Sequence, residues 1–253
     1  MPADELEKRI AQILKSRRSP QSFRSRDIDI HVEDAEVPVI ADADIGALRG
    51  AGLEVLNRTD HYGFAVEATI TDGREQTQLE WSEADRARFF KIQPHPTFGW
   101  ALHNADLAIQ KLVAGASRRE ARDMVDLFLI DGRYMPLAIA AIAAPAKAPG
   151  ASPIDLLERA RKIAMGHPAE DIEALRLAAG SGLPGAGALK FAFADRVQAA
   201  IDAITERGWK AKPGRLYFNP RTGKAVFPTN EALESLRPLE ATERGTVPFT
   251  AQA

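Results

Sequence analysis

Two aspartates separated by a single residue are the pair in this sequence with the clearest potential for chemistry. Asp27 and Asp29 alternate with Ile28 and Ile30 in the segment SFRSRDIDIHV. The alternation predicts a half-buried strand, in which side chains two residues apart project to the same side. Two carboxylates so close together repel each other unless a cation or a proton lies between them. The pair therefore suits Mg²⁺, which binds carboxylate oxygens and completes its shell with substrate phosphates.

The same spacing is also typical of the solvated face of an ordinary strand, so the pair needs further support. A metal site of this kind needs a third carboxylate from another strand, and the segment TQLEW offers Glu80 between Leu79 and Trp81. Glu67 and Glu75 are rivals, because spacing alone does not select among the three. With a metal bound, the arrangement favours phosphoryl or nucleotidyl transfer, in which the metal neutralises charge on the phosphates.

The composition predicts a soluble globular protein with one large domain, or one domain and a smaller appendage. The chain has 253 residues, of which 45% are hydrophobic and 27% charged, and its formal net charge is -2. The absence of cysteine excludes disulfides, thiolate metal sites and cysteine nucleophiles, and the five histidines lack zinc-binding spacing. The N-terminal segment is charged throughout, and the longest apolar run, MPLAIAAIAAPA, is too short to span a bilayer. We therefore expect a cytoplasmic protein that does not bind a membrane.

The elements that must position these residues mix strands and helices. Residues 3–17 predict an amphipathic helix, and a second helix ending near Gly50–Gly52 leads into a strand around Leu53–Asn57. The segment GFAVEATITDGREQTQLEW predicts two strands joined by an Asp-Gly turn, and two consecutive helices follow. Because no βαβ repeat is present, the pattern predicts an α+β fold with a mixed, largely antiparallel sheet and flanking helices.

Composition also predicts a division of the chain into four parts. The first domain is expected over residues 1–143 and an Ala/Pro/Gly-rich linker over residues 144–152. A helical region is expected over residues 153–208, followed by a C-terminal hairpin and tail over residues 209–253. The hairpin is predicted from RLYFNPRTGKAVFP, which has two short apolar runs around a turn.

Four segments carry a resemblance to a known family. They are RSRDIDIHVEDAE, ALRGAGLEV, TQLEW and RFFKIQPHPTFGWALHNADLAIQKLVAGASRREARDMVDLFLID. In this order they resemble the AbiEii/AbiGii-type nucleotidyltransferase-like toxin family of the nucleotidyltransferase (DNA polymerase β-like) superfamily. The resemblance covers roughly residues 15–145 and implies a nucleotidyltransferase-like core. It also implies an NTP substrate, Mg²⁺ or Mn²⁺ as the cofactor and, for the toxins of the family, a cognate antitoxin.

The resemblance further implies roles for two sets of residues. Asp27, Asp29 and Glu80 are implied as metal ligands, and Glu80 would also help to deprotonate the acceptor. The other residues are implied as contacts to the nucleotide phosphates or to a catalytic hydroxyl; they are Ser25, Arg26, Lys111, Arg119, Arg122 and Asp123.

Taken without the family, these second-set residues have ordinary interpretations. Lys111 lies mid-helix among apolar residues, where a lysine commonly extends its amino group to solvent. Arg119 and Asp123 have the i,i+4 spacing of a surface ion pair, which contributes only tenths of a kcal/mol, about 0.3–0.5. With the family, we favour phosphate contact for Lys111 and an orienting role for Asp123.

Three functional hypotheses result. The first is a Mg²⁺-dependent nucleotidyltransferase that transfers NMP from an NTP to an RNA (tRNA) or protein acceptor, as the toxin of a toxin–antitoxin pair. The second is a catalytically degenerate protein of the same fold that binds a nucleotide, RNA or a partner protein. The second is favoured by the absence of glycine from residues 9–26, since a Gly-Gly or Gly-Ser pair before the first aspartate lets the family's backbone approach the triphosphate. An unrelated α+β binding module ranks third, because several motifs agree in order.

Overall fold

The computed structural model describes residues 5–15, 27–32, 37–83, 87–96, 99–178, 182–243 and 245. The chain divides into two compact units. The first comprises Met1–Arg86 and Ile92–His103, and the second comprises Ala87–Lys91 and Asn104–Ala253. The four-part division expected from composition, with boundaries at residues 143, 152 and 208, stays a prediction.

The first unit is built on a four-stranded sheet with two helices. Its elements are α1 (Glu5–Lys15), β1 (Asp27–Val32), α2 (Val37–Gly50), β2 (Glu54–His61), β3 (Ala65–Thr71), β4 (Gln76–Glu83), β5 (Gln93–His95) and β6 (Gly99–Ala101). The strand order is β1-β4-β3-β2, in which β1 runs parallel to β4 and the other neighbours are antiparallel. A separate antiparallel pair joins β5 and β6. This confirms the predicted mixed, largely antiparallel sheet.

One face of this sheet is apolar and forms the core of the first unit. Ile28 and Ile30 of β1 align with Leu79 and Trp81 of β4, and all four side chains are buried. They share a cluster with apolar side chains of both helices, which places α1 and α2 over this face. The indole Nε1 of Trp81 donates a hydrogen bond to Asp44 Oδ2 of α2 at 2.9 Å. Glu80 lies between Leu79 and Trp81 on β4, so the period-2 pattern of the strand directs it away from this core.

The predicted Asp-Gly turn between β3 and β4 is confirmed. Gly73 adopts φ +89°, a conformation that glycine reaches without steric cost. Asp72 Oδ1 accepts hydrogen bonds from the backbone N–H groups of Arg74 at 2.9 Å and Glu75 at 3.0 Å. These two donors hold the pKa of Asp72 below its ordinary value. The turn sets the register of β3 against β4 and hence the position of Glu80.

The second unit is mainly helical. Its regular elements are α3 (Asn104–Gly115), α4 (Ala121–Arg133), α5 (Leu137–Ala143), α6 (Pro153–Met165), α7 (Ala169–Ala178), α8 (Ala186–Arg207), β7 (Arg215–Phe218) and β8 (Arg237–Glu240). Every residue of α5 is buried, which explains why its sequence, LAIAAIA, is apolar on all sides. The α+β class and the helical region after the sheet are confirmed.

The C-terminal hairpin is also confirmed. Phe218 at the end of β7 forms an antiparallel bridge with Ala225 across the turn, and the N–H of Val226 donates to the carbonyl of Tyr217 at 3.0 Å. On its other side β7 pairs antiparallel with β8, with Leu216 opposite Leu239.

Within the described part of the chain, no single helix is long and apolar enough to cross a membrane. The helices Ala121–Arg133 and Leu137–Ala146 reach the necessary length and composition only when taken together, and the chain bends by 111° between them.

Candidate functional site

The pairing of β1 with β4 brings two of the predicted metal ligands to the same row of the sheet. In this parallel register Asp29 lies opposite Glu80, and Asp27 lies opposite Gln78. Neighbouring strands are about 4.8 Å apart, so positions 29 and 80 are adjacent across the sheet. The side chain of Glu80 is half-buried, while those of Asp27 and Asp29 lie outside what the structure describes. Glu75, one of the rival acids, precedes β4 and has no place in this register.

The other rival acid, Glu67, lies next to Glu80 on the opposite side. Glu67 of β3 is the antiparallel partner of Glu80, so positions 29, 80 and 67 form one row across three strands. Glu67 Oε2 accepts a hydrogen bond from Gln78 Nε2 at 3.2 Å, and its Oε1 lies 3.3 Å from His61 Nε2. Glu67 therefore has two partners within the sheet.

Carboxylate oxygens are the ligands that Mg²⁺ and Mn²⁺ accept, and the chemistry of this row fits such a cation. Among the side chains that the structure describes, no group of three or more histidines and acids is arranged to hold a metal ion. The side chains of Asp27 and Asp29 are not among those described. The metal site therefore stays a prediction, supported by the backbone register of β1 against β4.

In the second unit, Lys111 lies in a partly buried cluster of charges. Its Nζ is 3.0 Å from Asp123 Oδ1 and 2.7 Å from Asp126 Oδ2, and only 10% of the lysine side chain is exposed. Lys111 comes from the middle of α3 and both aspartates come from α4, which packs against α3 after a short turn. The amino group is thus held by two carboxylates instead of extending freely to solvent.

Arg118, in the turn between α3 and α4, completes this cluster. Its Nε lies 2.8 Å from Asp123 Oδ2 and its Nη2 lies 3.2 Å from Asp123 Oδ1, a two-point contact that matches the carboxylate. Burial alone would raise the pKa of Asp123, but the guanidinium of Arg118 and the ammonium of Lys111 outweigh it and lower that pKa. Asp123 is therefore a buried carboxylate that stays ionised, as an orienting group must.

The remaining residues that were predicted to contact phosphate do not belong to the Lys111 cluster. Arg119 is exposed and its Nη2 donates to the carbonyl of Gly166 at 3.4 Å, whereas Arg122 Nε lies 3.8 Å from Glu120 Oε2. Ser25 and Arg26 lie outside the described residues. The assignment of all these residues to a nucleotide stays a prediction.

Sequence reasoning did not name Arg118 or Asp126 as site residues, although both belong to the Lys111 cluster. The spacing rules for a single helix compare positions three or four apart, and the contacts of Lys111 cross from one helix to the next. The feature of the sequence that could have indicated these two residues is the high density of charges in the segment RREARDMVD.

His167 packs beside this cluster, in a narrow crevice that Asp123, Met124 and Leu127 also line. Only 7% of His167 is exposed, and among the described residues its Nε2 has no hydrogen-bond partner. Burial, with a further contribution from the charge of Arg119, holds the pKa of His167 below its ordinary value of 6.5. The imidazole is therefore neutral in the folded protein near neutral pH.

This buried imidazole predicts a loss of stability in mild acid. As pH falls below about 6.5, the unfolded chain takes up a proton at His167 before the folded protein does, so unfolding becomes more favourable. We expect His167→Gln to flatten the dependence of the unfolding free energy on pH between about 5 and 7. Denaturant titrations of both proteins at several pH values measure this; parallel curves would contradict the prediction.

Comparison with known proteins gives one structural likeness. No protein-family model matches the chain, and no curated protein gives a significant match. Among solved structures, the chain is similar to MenT4, a nucleotidyltransferase toxin from Mycobacterium tuberculosis, with a TM-score of 0.45 and 14% identity. The match covers 78% of this chain and 82% of that chain. A likeness at this level does not establish a shared activity, and the registers and contacts within this chain define the candidate site.

Proposed function

We propose that this protein is a Mg²⁺-dependent nucleotidyltransferase that transfers NMP from an NTP to an RNA or protein acceptor. The observation that carries the proposal is the register of β1 against β4, which sets Asp29 opposite Glu80 with Asp27 two residues earlier on the same strand. Two acids on one strand and a third on its parallel neighbour make up the arrangement that the sequence resemblance requires.

Asp27, Asp29 and Glu80 would hold the metal ion. Bound there, the cation would neutralise charge on the phosphates of the substrate. Buried isoleucines on both sides of Asp29 fix the strand against the core, so the backbone that carries the acids is anchored. Such anchoring matters because a metal site needs ligands whose positions are set in advance.

The contacts to the nucleotide form the second part of the proposal and are supported by the resemblance alone. They comprise Ser25, Arg26, Lys111, Arg119 and Arg122, with Asp123 as an orienting acid. Asp123 suits that role because it is buried, ionised and in contact with Lys111. The toxin role, a tRNA acceptor and a cognate antitoxin are proposed on the same basis.

The alternative function is a catalytically degenerate protein of this fold that binds nucleotide, RNA or a partner protein. A specific observation favours it: residues 9–26 contain no glycine. A backbone that approaches a triphosphate closely needs glycine, since any side chain would collide with the phosphates. Arginines at positions 17, 18 and 24 would then be the groups left to contact phosphate.

Calorimetric titration of the four NTPs into the protein, with Mg²⁺ and again with EDTA, tests the proposal. Metal-dependent binding followed by transfer of label from an α-³²P-NTP to RNA or protein would support the enzyme. Binding without transfer to any acceptor would favour the degenerate alternative. Absence of nucleotide binding in both conditions would contradict the enzyme.

A further inference from the structure

Among the strands that the structure describes, β2 has a neighbour on one side and leaves the other edge of the sheet open. It is the last strand in the order β1-β4-β3-β2, and every residue of Glu54–His61 except Val55 is exposed. The hairpin that follows exposes 97% of Tyr62 and 75% of Phe64. An open edge presents unpaired N–H and C=O groups to which another strand can add. The exposed aromatic side chains next to it add apolar surface that a partner could cover.

We propose that the partner is a second copy of this chain, paired antiparallel through β2 about a two-fold axis at Thr59. The register of β2 against β3 shifts between Val55 and Asn57 and is regular from Asn57 to His61. Along a strand, successive residues direct their N–H and C=O groups to alternate sides. Two identical strands can therefore pair antiparallel only in a register in which one residue lies opposite its own copy, with the two-fold axis between them. An axis at Thr59 is the one that pairs all five regular positions.

The charges of β2 select the same axis. With the axis at Thr59, Arg58 of each copy lies opposite Asp60 of the other, which gives two cross-strand ion pairs. An axis at Arg58 would place the two arginines opposite each other, and an axis at Asp60 would oppose the two aspartates. Like charges directly opposite each other destabilise a strand pair, whereas opposite charges stabilise it. The sequence of the exposed strand is thus self-complementary in one register.

Ion pairs within one chain already orient Arg58 and Asp60 near the edge where the second copy would pair. Arg58 Nε lies 3.1 Å from Asp42 Oδ1 on α2, and its Nη2 lies 3.9 Å from Asp60 Oδ2. Asp60 of the second copy would join charges that are already ordered on this face. The same axis brings the exposed Leu56 at one end of the run toward Tyr62 of the other copy. The contact is short, so we infer a dimer that forms at micromolar concentrations, in the range roughly 1–100 µM.

A cysteine at the axis tests the register directly, because the natural sequence contains none. In the proposed dimer the two Thr59 Cα atoms lie about 4.5–5.5 Å apart, a separation that a disulfide spans. We expect Thr59→Cys to give a covalent dimer under mild oxidation. His61→Cys is the matched control, since it is exposed on the same face but about 14 Å from its own counterpart. A monomeric Thr59→Cys variant, or equal crosslinking of both variants, would overturn the proposal.

Charge reversal tests the pairing without a crosslink. By sedimentation, we expect Arg58→Asp and Asp60→Arg each to weaken the dimer about tenfold or more, because two pairs become repulsive. The double variant should recover the dimer. Asp42→Asn, which removes the charge that Arg58 contacts on α2, should retain the dimer. A monomeric natural protein over the whole concentration range, or a double variant that stays weak, would contradict the proposed interface.

Discussion

Replacing Asp27 and Asp29 together by asparagine is expected to abolish metal-dependent nucleotide binding, with a loss in affinity of at least about 100-fold, or ~2.7 kcal/mol. Asparagine keeps the shape of aspartate but removes two negative charges. With Glu80 as the one carboxylate left in the proposed set, the cation would lose two anionic oxygen ligands and would be held mainly by the substrate phosphates and water. Titration of Mg²⁺-NTP into the natural protein and the double variant measures the effect.

The matched control for this prediction is Glu83→Gln on β4. It removes a charge from the strand that carries Glu80, at an exposed position opposite Val32 instead of the acid pair. We expect nearly natural binding from this variant. The double variant should unfold at the same denaturant concentration as the natural protein or a higher one, since it loses the repulsion between two like charges. Equal nucleotide binding by the double variant would refute the metal site.

The strands of the first unit could be predicted because each follows a local rule. Period-2 alternation marks β1, β3 and β4, and the Asp-Gly pair marks the turn between the last two. The alignment of Asp29 with Glu80 could not be predicted in this way. It depends on parallel pairing between β1 and β4, two strands separated in sequence by a helix and two further strands. Spacing along the chain therefore left Glu67 and Glu75 open as rivals.

The helices α3 and α4 were also predictable, but the charge cluster between them was not. Sequence spacing pairs Arg119 with Asp123, whereas the folded chain sets Arg118 and Lys111 against that aspartate. The difference arises because the turn after Gly115 brings two helix faces together, and its path is a tertiary feature. The helix α5 is difficult to predict for another reason. It is buried on all sides, so its sequence lacks the apolar periodicity by which a helix is normally predicted.

A second large effect is expected from Asp106→Ala, which should lower the free energy of unfolding by about 3–5 kcal/mol. Asp106 is fully buried near the start of α3 and accepts hydrogen bonds from the N–H groups of Phe89 and Phe90, each at 2.9 Å. Its Oδ1 also lies 3.3 Å from Lys147 Nζ, and 2% of that lysine side chain is exposed. Alanine would leave an ammonium and two amides without this acceptor in the interior.

Two variants make the prediction specific. Lys147→Met should destabilise the protein less than Asp106→Ala, because Asp106 would keep both of its amide donors while the methionine fills similar space. Asp155→Ala should cost less than about 1 kcal/mol, since it removes a half-exposed carboxylate paired with Arg159 on the surface of α6. Guanidinium unfolding followed by circular dichroism reports mainly on the helical second unit, where all of these residues lie. Equal losses for Asp106→Ala and Asp155→Ala would show that the buried carboxylate does not hold residues 87–91 to the start of α3.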